Sequence, residues 1–140
     1  MAKVMAIDYG EVRIGVAASD LLGITAQPLC TVKNKNSRTV LEELDKICRE
    51  NKIEKIIVGL PKNMNGSEGE KCIKVRAFGE NLKKKTGLEI KFWDERLSTA
   101  AVHKAIHEIG GNVKKSRESI DKMAAVYILQ GYLEFSKGDN

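Results

Sequence analysis

Cysteine is scarce in this chain and scattered. Cys30, Cys48 and Cys72 form no Cys-x-x-Cys pair, and three is an odd number. A disulfide framework or a zinc site is therefore not expected; reduced thiols in a cytosolic protein are the simplest account. Aromatic residues make up only 5%, which argues against reading single strands by stacking bases on aromatic platforms. Phe92, Trp93, Tyr127 and Tyr132 are accordingly expected in the core. No window approaches the ~18 consecutive apolar residues of a membrane span. The start of the chain passes directly into an apolar run, Val4 to Ile7. It lacks the charged start, long apolar stretch and small-residue cleavage site of a secretory signal. A cytoplasmic protein without a membrane partner is expected.

What is present suits one globular domain spanning residues 1–140, with 42% hydrophobic and 31% charged residues. The formal net charge is +5, from 24 Lys and Arg against 19 Asp and Glu. Its distribution is uneven. Residues 51–93 hold ten bases and five acids, and the remaining segments balance. A local basic excess points to a polyanionic partner or to an ordinary solvated face.

The pattern begins with strands. Val4 to Tyr9, Arg13 to Ser19 and Ile24 to Val32 are short apolar runs. A hairpin turn at Gly10-Glu11-Val12 joins the first two, and Pro28 marks the third as irregular or at an edge. Short turns make these three strands antiparallel. Helical spacing follows at Val40, Leu41, Leu44, Ile47 and Cys48, with Thr39 and Glu42 as a capping box. Lys55 to Leu60 suits a strand buried on both faces. A polar loop, residues 62–69, leads to a helix with Val75, Phe78 and Leu82, a second capping box at Ser67 and Glu70, and stop signals at Lys83–Lys85 and Gly87. A fifth strand, Glu89 to Asp94, precedes two helices. These are expected at Ser98 to Ile109 and at Ser116 to Phe135, the second with an apolar stripe of Ile120, Met123, Ala124, Tyr127, Ile128 and Phe135. The order βββ-α-β-α-β-α-α predicts a mixed α/β sheet covered by helices.

Carboxylates occur where a core should be. Asp8 shares a strand face with Val4 and Ala6. An ionised carboxylate there is costly unless it is paired or bound to a metal, although a turn Asp beside Gly10 is also a sound reading. Asp94 and Glu95 end an apolar strand and precede Arg96, which suits an ion pair or helix-entry acid as well as a site. By alternation Asp94 shares the face of Ile90 and Phe92, and Glu95 points the other way unless the strand has ended. Asp121 falls in the first turn of the last helix, where a carboxylate favours the helix dipole. Ala124 and Ala125, three and four residues on, let that helix approach the sheet closely. Together these acids describe a cluster of hard oxygen ligands suited to Mg²⁺ or Mn²⁺. His103 and His107, four apart, lack the Glu of a zinc protease motif.

Four ordered blocks now stand out: Ala6–Asp20 (AIDYGEVRIGVAASD), Val58–Gly69 (VGLPKNMNGSEG), Asp94–Thr99 (DERLST) and Ser119–Leu133 (SIDKMAAVYILQGYL). In this the chain resembles the YqgF family, pre-16S ribosomal RNA nucleases also described as Holliday-junction-resolvase-like. The resemblance covers most of the chain. It implies a ribonuclease H-like fold, a five-stranded mixed sheet whose first three strands are antiparallel, flanked by helices on both faces. It implies metal-dependent phosphodiester cleavage in maturation of the small-subunit rRNA 5′ end. The family's acids fall on Asp8, Glu95 and Asp121 as catalytic residues and ligands of Mg²⁺ or Mn²⁺. Asp94 either shares the metal or orients Arg96. Arg13, Lys62, Asn63, Asn65 and Arg96 are then expected to contact the nucleic acid, with the loop Pro61–Gly69 approaching its backbone. The implied partners are an rRNA precursor within the small-subunit precursor, or branched DNA. The chain itself is expected as a monomer or a homodimer.

Three other readings fit the same sequence. A Holliday junction resolvase would act on four-way DNA. A non-catalytic RNA-binding assembly module would have little reason to keep all three acids. An actin-type phosphate-binding domain shares the Asp-x-Gly strand, but needs a second such domain to enclose a nucleotide.

Overall fold

Two short connections set the start of the sheet. In the computed structural model, which describes residues 3–97 and 116–138 and the side chains of the last helix from 122 to 136, β1 (Lys3–Tyr9) turns directly into β2 (Arg13–Ser19). Tyr9 stands against Ile14 and Asp8 against Gly15. Asp20 then accepts hydrogen bonds from the Ile24 and Thr25 backbone N–H groups, at 2.8 and 3.4 Å, and closes the turn into β3 (Ala26–Lys33). That strand starts two residues later than its apolar pattern suggests, because residues 20–25 are consumed by the turn. Pro28 does lie on an edge strand, and the β2–β3 register shifts beside it, so that Val16 faces Cys30 and Ala17 faces Pro28.

The remaining strands cross over in parallel. α1 (Ser37–Glu50) leads to β4 (Ile53–Leu60), and α2 (Glu70–Thr86) leads to β5 (Glu89–Asp94). The sheet order is β3-β2-β1-β4-β5, with β4 parallel to both β1 and β5. A single 3₁₀ turn, Glu95–Leu97, follows β5, and α3 (Ser116–Gly138) is the last described helix. The expected helix at 98–109, with His103 and His107, lies outside the described residues.

Both helix starts differ from the expected capping boxes. α1 is capped by Asn36, whose Oδ1 accepts from the Thr39 N–H at 2.9 Å. Asparagine caps as well as any residue, and it lies three residues ahead of Thr39. α2 starts at Gly69 without a side-chain cap, because the Ser67 hydroxyl is already held within the preceding loop. The stop signal is as expected: Gly87 takes the left-handed conformation, φ 72°, and its N–H bonds the Lys83 carbonyl.

The sheet separates two apolar layers. Met5, Ile7, Ile14, Val16, Ile56 and Val58 face α1 and α2, with Leu44, Val75, Phe78 and Leu82. Ala6, Ala17, Ile57 and Trp93 face α3. β4 is buried on both faces, as its continuous apolar run predicts. α3 presents Ala124, Ala125, Ile128, Leu129, Tyr132 and Leu133 to the sheet, whereas Met123 and Phe135 of the expected stripe are exposed. The face is rotated because the alanines share one cluster with Ala6 and Ala17. Four small residues allow a close approach that bulkier side chains would prevent.

Candidate active site

The alternation of β1 puts Asp8 on the α3 face with Val4 and Ala6. Its neighbours leave room for it. Gly15 stands directly opposite on β2. On β4, Ile7 pairs with Val58, so the next step brings Asp8 level with Gly59. A buried carboxylate, 3% exposed, thus sits on the central strand between two residues without side chains. Sequence reasoning singles out Asp8 but misses both glycines. The available signal is glycine inside an apolar strand, which marks a close approach.

Glu95 reaches the same place from β5. The strand ends at Asp94, and the 3₁₀ turn swings Glu95 inward to 8% exposure. A methyl at Gly59 would lie 3.0 and 3.2 Å from the Glu95 Cγ and Cδ. The Glu95 side chain therefore lies across Gly59, on the strand adjoining Asp8. Two carboxylates 87 residues apart in sequence are brought to one glycine-lined spot. Asp121 lies within α3, one helical turn ahead of Ala125; its side chain is outside the described residues. Among the described residues no group of three His, Cys, Asp or Glu side chains stands together as a metal cage. The two acids that do converge are hard oxygen donors, as Mg²⁺ and Mn²⁺ require.

Asp94 goes elsewhere. Trp93 faces α3, so Asp94 faces the other way and accepts from Arg96. The Arg96 Nε lies 3.1 Å from both carboxylate oxygens, Nη2 2.7 Å from Oδ2, and the backbone N–H 3.0 Å from Oδ1. These hydrogen bonds hold the Asp94 carboxyl below the usual carboxylate range. Of its two expected roles, orienting Arg96 is the one this geometry displays.

The loop between β4 and α2 gathers the expected binding residues. Asn63 donates its Nδ2 to the Ser67 hydroxyl at 2.9 Å, and Ser67 donates both N–H and O–H to the Asn65 Oδ1 at 3.0 and 2.6 Å. Asn63 and Asn65 thus shape the loop, and Met64 projects from its tip at 93% exposure. Two arginines clip the loop in place. Arg96 donates Nη1 to the Met64 carbonyl at 3.3 Å. Arg76 donates Nε and Nη2 to Glu68, both at 2.7 Å, and stacks over Phe92 at 5.1 Å. Lys62 is half-buried, and its charge helps to lower both the Asp94 and Glu68 carboxyls. Arg13 lies apart from this loop. It opens β2 on the same face as Gly15 and Ala17, diagonal to Asp8.

The profile of the RuvX family, described as Holliday junction resolvase, matches residues 2–135. Relatives named "Putative pre-16S rRNA nuclease" occur in Clostridium novyi (strain NT), 51% identical over 94% of this chain and 98% of the relative, and in Clostridioides difficile (strain 630), 47% identical over 95% and 94%. The structure of T. thermophilus RuvC in complex with Holliday junction substrate superposes with a TM-score of 0.65 at 14% identity, covering 99% of this chain and 97% of that one. A second T. thermophilus RuvC structure gives 0.57, with 97% and 96% covered. At such identity the likeness establishes the fold, and that fold is the five-stranded mixed sheet expected from the four sequence blocks. The chain belongs to the RuvX family.

Proposed function

We propose that this protein is a metal-dependent nuclease that hydrolyses phosphodiester bonds in 5′-end maturation of pre-16S rRNA. One observation carries the reading: buried Glu95 lies across Gly59, the residue that the β1–β4 register sets beside buried Asp8. Both side chains are hard oxygen donors of the kind a divalent ion takes. Asp8, Glu95 and Asp121 would hold Mg²⁺ or Mn²⁺. Bound there, such ions supply activation of water and stabilisation of the departing oxygen in phosphodiester hydrolysis.

The chain's own residues prepare the site. Gly15 and Gly59 leave space for the acids. The Pro61–Gly69 loop, clipped by Arg76 and Arg96, presents a fixed polar rim beside Glu95, and a pre-set rim loses little entropy when nucleic acid binds. Arg13 and Lys62 supply charge for backbone contacts, which position the strand without reading its bases. The relatives' name favours the rRNA precursor and a cytoplasmic site of action on the small-subunit precursor. The family description favours a second substrate, the four-way DNA junction.

Cleavage of a 5′-extended rRNA precursor and of a four-way DNA junction, each with Mg²⁺ or Mn²⁺, tests both substrates. Metal-dependent cutting of the precursor is expected. Asp8→Asn and Asp121→Asn should each lose more than the ~10–100-fold typical of removing an outer partner of a metal ligand, with circular dichroism unchanged. Folded variants with wild-type activity would refute the mechanism, and cutting of the junction alone would shift the assignment to DNA.

A further inference from the structure

A cavity of about 320 Å³ opens beside Glu95. Tyr9 and Glu11 line it from the β1–β2 turn, Pro61 from the exit of β4, and Lys71 and Lys74 from the start of α2. Lys71 and Lys74 are three apart on the helix, hence on one face with Cβ atoms about 5–6 Å from each other. Buried Val75 also lines the cavity and fixes the turn of the helix that faces it.

These lysines differ from the two arginines that clip the loop. Arg96 is engaged by Asp94 and Arg76 by Glu68, at 2.7 Å in each case. Lys71 forms no ion pair among the described residues. Lys74 has one, with Glu11 at 3.7 Å, and both side chains are mostly exposed. So long and solvated a pair contributes little and yields to a better acceptor. Two flexible ammonium groups thus line a cleft that ends at a candidate ligand of the metal.

Building on the nuclease reading, we propose that this cleft is the channel for the phosphodiester backbone flanking the scissile bond. In it Lys71 and Lys74 contact successive phosphates of one RNA strand, and Glu11 competes for Lys74 until the strand arrives. Ammonium groups serve as point charges for phosphate and read no sequence. Glu11 offsets part of the channel's positive charge in the free protein, which weakens retention of stray anions.

The test measures binding of a labelled 5′-extended rRNA precursor by anisotropy across a series of KCl concentrations, with Ca²⁺ in place of Mg²⁺ to hold cleavage back. The kcat and KM values are measured separately with Mg²⁺. Every phosphate of a single strand that a variant no longer neutralises should flatten the slope of log affinity against log salt by about 0.7. The double variant Lys71→Gln/Lys74→Gln should therefore lose about 1.4 of slope and bind roughly 10-fold more weakly at moderate salt. Its kcat should stay within about two-fold, because backbone contacts of this kind position the strand. Glu11→Gln should shift affinity the other way. Lys83→Gln/Lys84→Gln removes the same charge from the far end of α2 and should leave the slope unchanged. Wild-type slope in the Lys71/Lys74 variant, or an equal loss in the Lys83/Lys84 control, would overturn the channel. A wild-type protein that neither binds nor cuts the precursor would strike the nuclease reading itself, and the channel with it.

Discussion

Gly59→Ala tests the candidate site most directly, because one methyl presses on its geometry. The added carbon would stand 2.6 Å from the Ile128 Cδ1 and 3.0 and 3.2 Å from the Glu95 Cγ and Cδ. Carbon atoms pack well at about 3.5–4.0 Å, so Ile128 must retreat by roughly 1 Å and Glu95 by roughly 0.5 Å. Neither has free space, since Ile128 is fully buried and Glu95 nearly so. Overpacking of this kind costs about 1–3 kcal/mol. At roughly 3–4 °C per kcal/mol for a domain of this size, Tm should fall by about 3–12 °C. The catalytic effect is larger, because a misplacement of about 1 Å can cost ~100-fold. We expect kcat on the rRNA precursor to fall by about 10–100-fold at a temperature where the variant remains folded.

Gly79→Ala supplies the matched control. Its methyl would meet the Phe92 ring at 2.5 and 2.8 Å, a clash at least as severe, on the opposite face of the sheet. Alanine inside a helix regains about 1 kcal/mol of propensity over glycine, so the net destabilisation should be smaller. Phe92 touches the site only through the Arg76 guanidinium stacked on it, so kcat per folded molecule should fall far less than in Gly59→Ala. Urea denaturation and saturating cleavage kinetics on both variants separate the effects. A destabilised Gly59→Ala with wild-type kcat would show that Glu95 does not act from this position. Equal loss of kcat in Gly79→Ala would show that any loosening suffices, and would refute the positional argument.

Asn36→Ala should destabilise the protein by about 1 kcal/mol, read as a lower urea midpoint at constant slope, because it removes the cap of α1. A thiol reagent at pH 8 should modify half-buried Cys30 first: burial raises all three thiols and pushes Cys48 up to about 12, and buried Cys48 and Cys72 should react only after unfolding. Fast native reaction at Cys48 would contradict its burial. Acid should weaken the loop clips. Asp94 is held below its ordinary value first by hydrogen bonds from Arg96, and Glu68 first by those from Arg76. The unfolded chain therefore binds these protons at higher pH, near ~3.9 and ~4.3. The stability they lend is complete above about pH 5 and is lost as pH falls through the lower folded values. Asp94→Asn/Glu68→Gln should show a smaller drop in stability over that acid range, followed by circular dichroism.

Much of the fold and site is legible in the sequence, and the reasons differ by residue. Asp8 stands out because a charge closing an apolar strand violates the usual partition of polar groups, and a period of two fixes its face. Glu95 is harder to place: alternation with Trp93 puts it on the α3 face that Asp8 also takes, but β5 ends at Asp94 and a 3₁₀ turn carries Glu95 instead. Asp94 and Arg96 fit a site pair as well as an ion pair, and adjacency in sequence does not choose between them. Asn63 and Asn65 are expected to meet nucleic acid directly, yet their side chains bond Ser67, because short polar side chains readily replace backbone partners in turns. Lys71 and Lys74 look like any solvated helix start until the β1–β2 turn is placed beside them.

The two glycines around Asp8 show where such reading ends. Gly15 is within reach: a hairpin turn centred on Gly10–Val12 pairs residues across a nearly fixed sum, and counting outward from Tyr9 against Ile14 puts Gly15 opposite Asp8. Gly59 is not. β1 and β4 are parallel and separated by β2, β3 and α1, so no turn sets their register. Helix packing sets it, through the seating of α1 and the burial of Ile56 and Ile57 on opposite faces of the sheet. A slip of one residue would replace Gly59 beside Asp8 with Val58 or Leu60 and fill the space Glu95 occupies. The geometry of the candidate site therefore depends on the core of a crossover well away from it in sequence. For that reason, substitutions at Leu44 or Val40, far from any of the candidate catalytic acids in sequence, should disturb cleavage as well as stability.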